Sequence, residues 1–166
     1  MKYYTFINIF SKEYNRKLLE KCKPLLMDGE TLDGFYGRGG TPAKQSHPTL
    51  HLNPNFDDFH NQILKRIKEE SGLDLKLERS WVNGTHGKKK DMLWHSHEAF
   101  GTDYAGVYYV KTPLPFFSNG TLFEDRFIKV PQNGLLIFPS NIPHTAPSSP
   151  FRMERYTIAM DFIQNG

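Results

Sequence analysis

From Arg155 to Phe162 the chain alternates: Tyr156, Ile158, Met160 and Phe162 make one apolar row, and Arg155, Thr157, Ala159 and Asp161 make the other. Successive strand side chains point to opposite faces, so a strand is predicted from about Met153 to Phe162, with one face on a core. The other face carries a cation, a hydroxyl and a carboxylate. A longer period governs the first half of the chain. Tyr14, Leu18, Leu19, Cys22 and Leu25 recur at helical spacing after Ser11, a residue suited to an N-cap, and Pro24 marks the end. A second helix is predicted from about Asp57 to Ser71, aligning Phe59, Ile63, Leu64 and Ile67, with Gly72 as its stop. Helix stripes need an apolar surface, and the apolar row of the last strand supplies one. Gly134 to Phe138 reads as a short strand, and the run around Tyr108 and Tyr109 as a strand buried on both faces.

Between the helices lies Gly29 to Pro48, which holds Gly34, Gly37, Gly39, Gly40 and Pro42 together with Phe35, Tyr36 and Arg38. A connection this long without a periodic pattern is read as a lid over a substrate. Gly37-Arg38-Gly39-Gly40 lacks the lysine and the following helix of a phosphate loop. No internal repeat is visible. With 166 residues the chain can bury a core without staples. It is read as one domain in two parts, helices and strands over 1–75 and a β core over 76–166.

Composition narrows the classes. Cys22 is the sole cysteine, so an internal disulfide and cysteine-rich zinc ribbons are excluded, and a reducing, cytoplasmic compartment is expected. Tyr3 to Phe10 is only a strand's length, and no run approaches membrane-spanning length. The net charge of +3 demands neither a nucleic acid nor a membrane surface. Lys88-Lys89-Lys90 reads as a solvated turn in preference to a funnel for an acidic substrate.

The chemistry concentrates downstream. His95 and His97 stand two apart, a spacing that in a strand turns both imidazoles to one side and Trp94 and Ser96 to the other. With seven histidines in the chain such a pair arises easily by chance, so it means little alone. His144 follows Pro139-Ser140-Asn141-Ile142-Pro143, where a strand gives way to a turn, and suits a ligand arriving from a neighbouring strand. Three imidazoles accept iron, zinc or copper, and a site with three protein ligands keeps positions open for substrate or oxygen. If the polar face of the last strand lines a barrel interior, Arg155 is a guanidinium withdrawn from water, which is costly unless an anion meets it. A bound carboxylate supplies that anion, with Thr157 as a second donor; the structural alternative pairs Arg155 with Asp161 or Glu154.

With those residues in view, the chain resembles the 2-oxoglutarate- and Fe(II)-dependent dioxygenases, a double-stranded β-helix (jelly-roll, cupin-like) superfamily, from about Trp81 to Phe162. Members hold iron with His-x-Asp/Glu and a distant His, and a basic residue a short way beyond, often in Arg-x-Ser, binds the far carboxylate of 2-oxoglutarate. Arg155-Tyr156-Thr157 stands that short way beyond His144 and keeps the hydroxyl. More narrowly, Trp81-Val82-Asn83, His95-Ser96-His97, Gly106-Val107-Tyr108-Tyr109-Val110, Gly120-Thr121-Leu122-Phe123 and Phe138-Pro139-Ser140, in this order, resemble a small group of such oxygenases. That group is frequent in bacteria and phages and carries His-x-His.

The resemblance implies a mainly β fold, a double-stranded β-helix core backed by N-terminal helices. It implies His95, His97 and His144 as metal ligands, with no catalytic side chain beyond them, and Arg155 and Thr157 as holders of 2-oxoglutarate. Tyr109 stands where prolyl-hydroxylase-like members place a tyrosine against the cosubstrate carboxylate, with core packing the other reading. Asn83 either touches the cosubstrate or packs and caps. Fe(II), 2-oxoglutarate and O2 are the implied cofactors, and the implied reaction hydroxylates a C–H bond with release of succinate and CO2. The chain carries no convincing Ser/His/Asp or Cys/His triad, and this chemistry requires none. Neither the substrate, whether protein side chain, nucleobase, lipid precursor or small metabolite, nor the oligomeric state is written in the sequence.

One position departs from the superfamily. His97 stands where a carboxylate is usual, so the ligand set is neutral and Fe(II) keeps its full double charge. That favours a dianionic cosubstrate and lets zinc or copper compete. Alternatively Glu98, Asp91 or Asp103 completes the triad. Two other classes remain open at this point: a cupin-type three-histidine dioxygenase whose substrate carboxylate is gripped by Arg155, and a non-enzymatic metal-binding jelly-roll module with a closed zinc site and a fourth ligand such as His86.

Overall fold

In a computed structural model of the protein, which describes residues 2–27, 44–85, 94–113, 120–146 and 154–166, helix α1 (Lys12–Cys22) begins at the predicted cap. The Ser11 side chain accepts a hydrogen bond from the Tyr14 backbone N–H at 3.1 Å. The helix runs into a 3-10 turn, Lys23–Leu25, at Pro24, which has no N–H with which to continue it. Helix α2 (Asp57–Ser71) has the predicted bounds and stops at Gly72, whose φ of 74° is open to glycine at little steric cost. Asp57 and Asp58 in its first turn complement the helix dipole. His86, Lys88-Lys89-Lys90, Asp91 and most of Gly29 to Pro48, including its proposed lid residues, lie outside the described residues.

The strands are β1 (Tyr4–Phe6), β2 (Lys44–Gln45), β3 (Leu75–Thr85), β4 (Tyr104–Lys111), β5 (Gly120–Phe123), β6 (Phe127–Lys129), β7 (Leu135–Pro139), β8 (His144–Thr145) and β9 (Arg155–Gln164). They pair antiparallel into a six-stranded sheet, ordered β1-β7-β4-β9-β3-β2, and a three-stranded sheet, ordered β6-β5-β8. The terminal strand runs two residues past its predicted end, and strands from both halves of the chain enter the large sheet. Two sheets face to face, with helices behind the larger, make the double-stranded β-helix expected from the sequence.

The two rows of β9 go where their alternation directs them. Tyr156, Ile158, Met160 and Phe162 join Tyr108, Leu135 and Ile137 on the outer face, against Leu18 and Cys22 of α1 and Phe59, Ile63 and Ile67 of α2. These three α2 residues are 1% exposed or less, and full burial of such side chains contributes about 1.5–3 kcal/mol each, which fastens α2 to the sheet. Glycine lets β4 pack closely on this face: a Cβ on Gly106 would lie 2.7 Å from Ile137 Cδ1 and 2.9 Å from Phe162 Cε2. Ala105, Tyr109, Leu136 and Phe138 of the inner face pack instead with Phe123 and Val130 of the second sheet side.

Register assembles the inner face. Directly paired residues share a face, so Asn83, Thr157 and Tyr109 form one cross-strand row, Trp81, Ala159 and Val107 the next, and Arg79, Asp161 and Ala105 the third. A β-bulge at Glu78 makes this possible. Leu77 still pairs with Phe162 on the outer face, but the extra residue switches the phase of β3, so Arg79, Trp81 and Asn83 turn inward. Among the described residues no helix is long and apolar enough to cross a membrane.

Candidate metal centre and adjoining anion pocket

His95-Ser96-His97 does not lie in an extended strand as predicted. It crosses the Ser140 to His144 turn through one isolated bridge, with His95 N–H donating to the His144 carbonyl at 3.1 Å and His144 N–H to that of His95 at 2.9 Å. His97 N–H reaches the Ser140 carbonyl at 2.8 Å. The chain then bends into a 3-10 turn, Glu98–Phe100, closed by Gly101 at φ 67°. The turn leaves Glu98 exposed, while Asp103 accepts a hydrogen bond from the Gln164 backbone at 2.8 Å. The bridge still brings the histidines together.

His95, His97 and His144 each offer a ring nitrogen within 4.8 Å of the others, and no carboxylate joins this cluster among the described residues. Ring centroids lie 4.3 Å apart for His95 and His144, 5.1 Å for His97 and His144, and 5.3 Å for His95 and His97. His97 and His144 are each 5% exposed, whereas His95 is exposed, so the cluster is buried behind and open in front. Burial, with His95 and His97 adding like charge, pushes the His144 imidazole down to about 3. It is therefore neutral near pH 7. Its Nδ1 lies 3.0 Å from the Ile142 carbonyl, which can only accept, so Nδ1 carries the proton and Nε2 the lone pair.

His97 is oriented by the same logic and a stronger partner. Its Nδ1 is 2.5 Å from Oδ1 of Asp161, which is fully buried. A carboxylate accepts, so the other ring nitrogen, Nε2, faces the cluster. Arg79 Nη2 donates to the second carboxylate oxygen, and Trp81 stacks on the His97 ring at 5.7 Å and 16°. Sequence reasoning put Asp161 on the correct face but offered it to Arg155, and it missed Arg79. The available signal was a carboxylate in a strand row that water cannot reach, which must find a donor.

Arg155 occupies the other end of the inner face, 8% exposed. Its Nη2 donates to the Gly120 carbonyl at 3.3 Å, and the guanidinium lies 5.4 Å from the Tyr109 ring centroid. Of the two carboxylates that the sequence offered it, Asp161 is engaged by His97 and Arg79. Thr157 is buried in the next row with Tyr109 and Asn83. Tyr109 is fully buried, its hydroxyl 2.6 Å from Thr121 Oγ1, and burial raises its pKa while Arg155 opposes the rise. It is at once a packed core residue and a neighbour of the guanidinium. Asn83 Oδ1 accepts from Gln45 Nε2 at 2.6 Å, which leaves the Asn83 amide N–H2 to donate elsewhere. Phe123 walls the site beside His144, with centroids 6.1 Å apart, whereas Leu122 faces away and is half-buried.

No family model matches the sequence, and no curated protein matches it. Solved structures do. HygX from Streptomyces hygroscopicus, with nickel and 2-oxoglutarate bound, is 8% identical with a TM-score of 0.72, over 96% of this chain and 82% of that one. The viral collagen prolyl hydroxylase of Paramecium Bursaria Chlorella virus-1, in a 2-oxoglutarate complex, is 12% identical with a TM-score of 0.67, over 98% and 96%. A prolyl-4-hydroxylase of Pseudomonas putida is 13% identical with a TM-score of 0.60, over 99% and 93%. At these identities the likeness establishes the fold alone.

Proposed function

We propose that this chain is an Fe(II)- and 2-oxoglutarate-dependent oxygenase that hydroxylates a C–H bond of its substrate. The observation that carries this reading is the convergence of three imidazoles beside Asp161, on the same row of β9 that carries the buried Arg155 guanidinium. The donor set fits a divalent ion. His97 and His144 each have Nδ1 turned to an acceptor and Nε2 toward the cluster, and exposed His95 leaves the front accessible.

His95, His97 and His144 would hold the iron. Bound Fe(II) and 2-oxoglutarate would couple oxidative decarboxylation of the cosubstrate, giving succinate and CO2, to insertion of one oxygen atom of O2. The rest falls to the protein. Arg155 offers its planar fork to the far carboxylate, a match that also offsets the cost of burying the cation. Thr157 and the Asn83 amide are donors in the adjoining row, and Tyr109 shapes the pocket from β4. Trp81, Phe123 and Phe138 exclude water from the buried side, with Phe138 edge-on to His144 at 4.6 Å.

HygX and the viral collagen prolyl hydroxylase, solved with 2-oxoglutarate, support this cosubstrate. Cys22 is buried and unpaired with another cysteine, in keeping with a reducing, cytoplasmic setting. The test is anaerobic addition of Fe(II) and then 2-oxoglutarate. A metal-to-ligand absorption band, followed by succinate formation on admitting oxygen, is the expected result. Iron uptake without the band or succinate would favour a three-histidine dioxygenase that binds its substrate directly.

A further inference from the structure

We infer that Asp161 is a positioning residue for the metal centre: it holds His97 with Nε2 toward the ion and places a carboxylate behind a ligand set that has none. Asp161 takes this role only if the three histidines hold a metal, as proposed above.

Three contacts fix the arrangement. Oδ1 of Asp161 takes the His97 Nδ1–H at 2.5 Å, and Oδ2 is held by Arg79, so the carboxylate cannot turn away from the ring. Trp81 lies nearly parallel to the imidazole and sets its plane. Arg79 is itself laid over the Phe100 ring, its guanidinium carbon 3.6 Å from the centroid. The Glu78 bulge is what turns Arg79 and Trp81 to this face, and the Arg79–Asp161 register then sets guanidinium opposite carboxylate.

Core packing does not require this charge. Ala159, the previous residue of the same row, is buried without polarity, and a fully buried carboxylate is destabilising unless charged or polar partners compensate it. His144 Nδ1 is held by a backbone carbonyl, whereas His97 is held by a carboxylate that also pairs with Arg79. A carboxylate behind a ligating imidazole fixes its tautomer and raises its basicity. Arg79, a quarter exposed, pairs with the same carboxylate from the solvent edge.

The experiment titrates the metal-free protein with Co(II) alone against a competing chelator, and follows the Co(II) d–d spectrum. For Asp161→Asn the affinity is expected to fall about 10- to 100-fold, with a changed spectrum. In the metal-free protein the hydrogen-bonded His97 Nδ1–H proton should resonate far downfield and move upfield in the same variant. Should Asp161→Asn fail to fold, the R79Q/D161N double variant replaces the ion pair by a neutral amide pair, and the same loss of affinity is expected. Wild-type affinity and spectrum in the folded variant would overturn the role of Asp161 and leave the metal centre standing. No Co(II) uptake by the wild type would overturn both.

Discussion

Arg155 Nη2 donates to the carbonyl of Gly120 across 3.3 Å, which ties the last strand of the large sheet to the first strand of the small one. The guanidinium is buried in the inner-face row of β9. Arg155→Ala should weaken 2-oxoglutarate binding to the Mn(II)-loaded protein. Removing one partner of a buried, hydrogen-bonded charge pair costs about 2–5 kcal/mol, so Kd should rise about 30-fold or more. Unchanged affinity by calorimetry would remove Arg155 from the cosubstrate site.

His144→Ala should abolish stoichiometric metal. His144 comes from β8, apart in the chain from His95 and His97, and two remaining imidazoles leave the ion without a ligand from the second sheet. Metal analysis after gel filtration measures this directly, and full retention of one equivalent would refute the site.

Acid should destabilise the protein through His60. Burial, reinforced by His51, pushes this imidazole down from 6.5 to about 4, and its Nε2 lies 3.1 Å from Ser80 Oγ. The unfolded chain takes up a proton as the pH falls below the ordinary value, while folded His60 stays neutral until about 4. Stability present above the unfolded pKa is therefore lost between pH 6.5 and 4, by about 3 kcal/mol in total. His60→Gln can keep the bond to Ser80 but not the titration. Urea unfolding of the metal-free protein across this window should show a shallower loss in the variant. The curve will not be flat, because His144, pushed down to about 3, acts in the same direction.

Gly106→Ala should cost about 1–3 kcal/mol, the usual penalty for overpacking a filled core. The added methyl meets Ile137 and Phe162 on the outer face, whereas the histidines and Arg155 serve the inner one. Denaturation midpoints should fall while metal uptake stays unchanged.

Much of this architecture is legible in local pattern. The alternation of β9 separates Ile158 and Met160 from Arg155 and Thr157, and Ser11 and Gly72 mark where helices begin and end. These features depend on neighbours a few residues away, and local physics suffices. The three histidines were also visible, although the strand assigned to His95 and His97 is in fact a single bridge entering a turn.

The amino-acid sequence by itself determined which faces are apolar, where the helices stop, and which side chains are candidates to bind a metal and an anion. Only the tertiary structure decided their partners. Periodicity tells which side of a strand avoids water, but not which distant residue lies across from it. That depends on register, and a single bulged residue, Glu78, shifts the register enough to turn Arg79 and Trp81 inward. Asp161 therefore meets His97 and Arg79, because hydrogen-bond geometry selects among charges that sequence alone leaves equivalent.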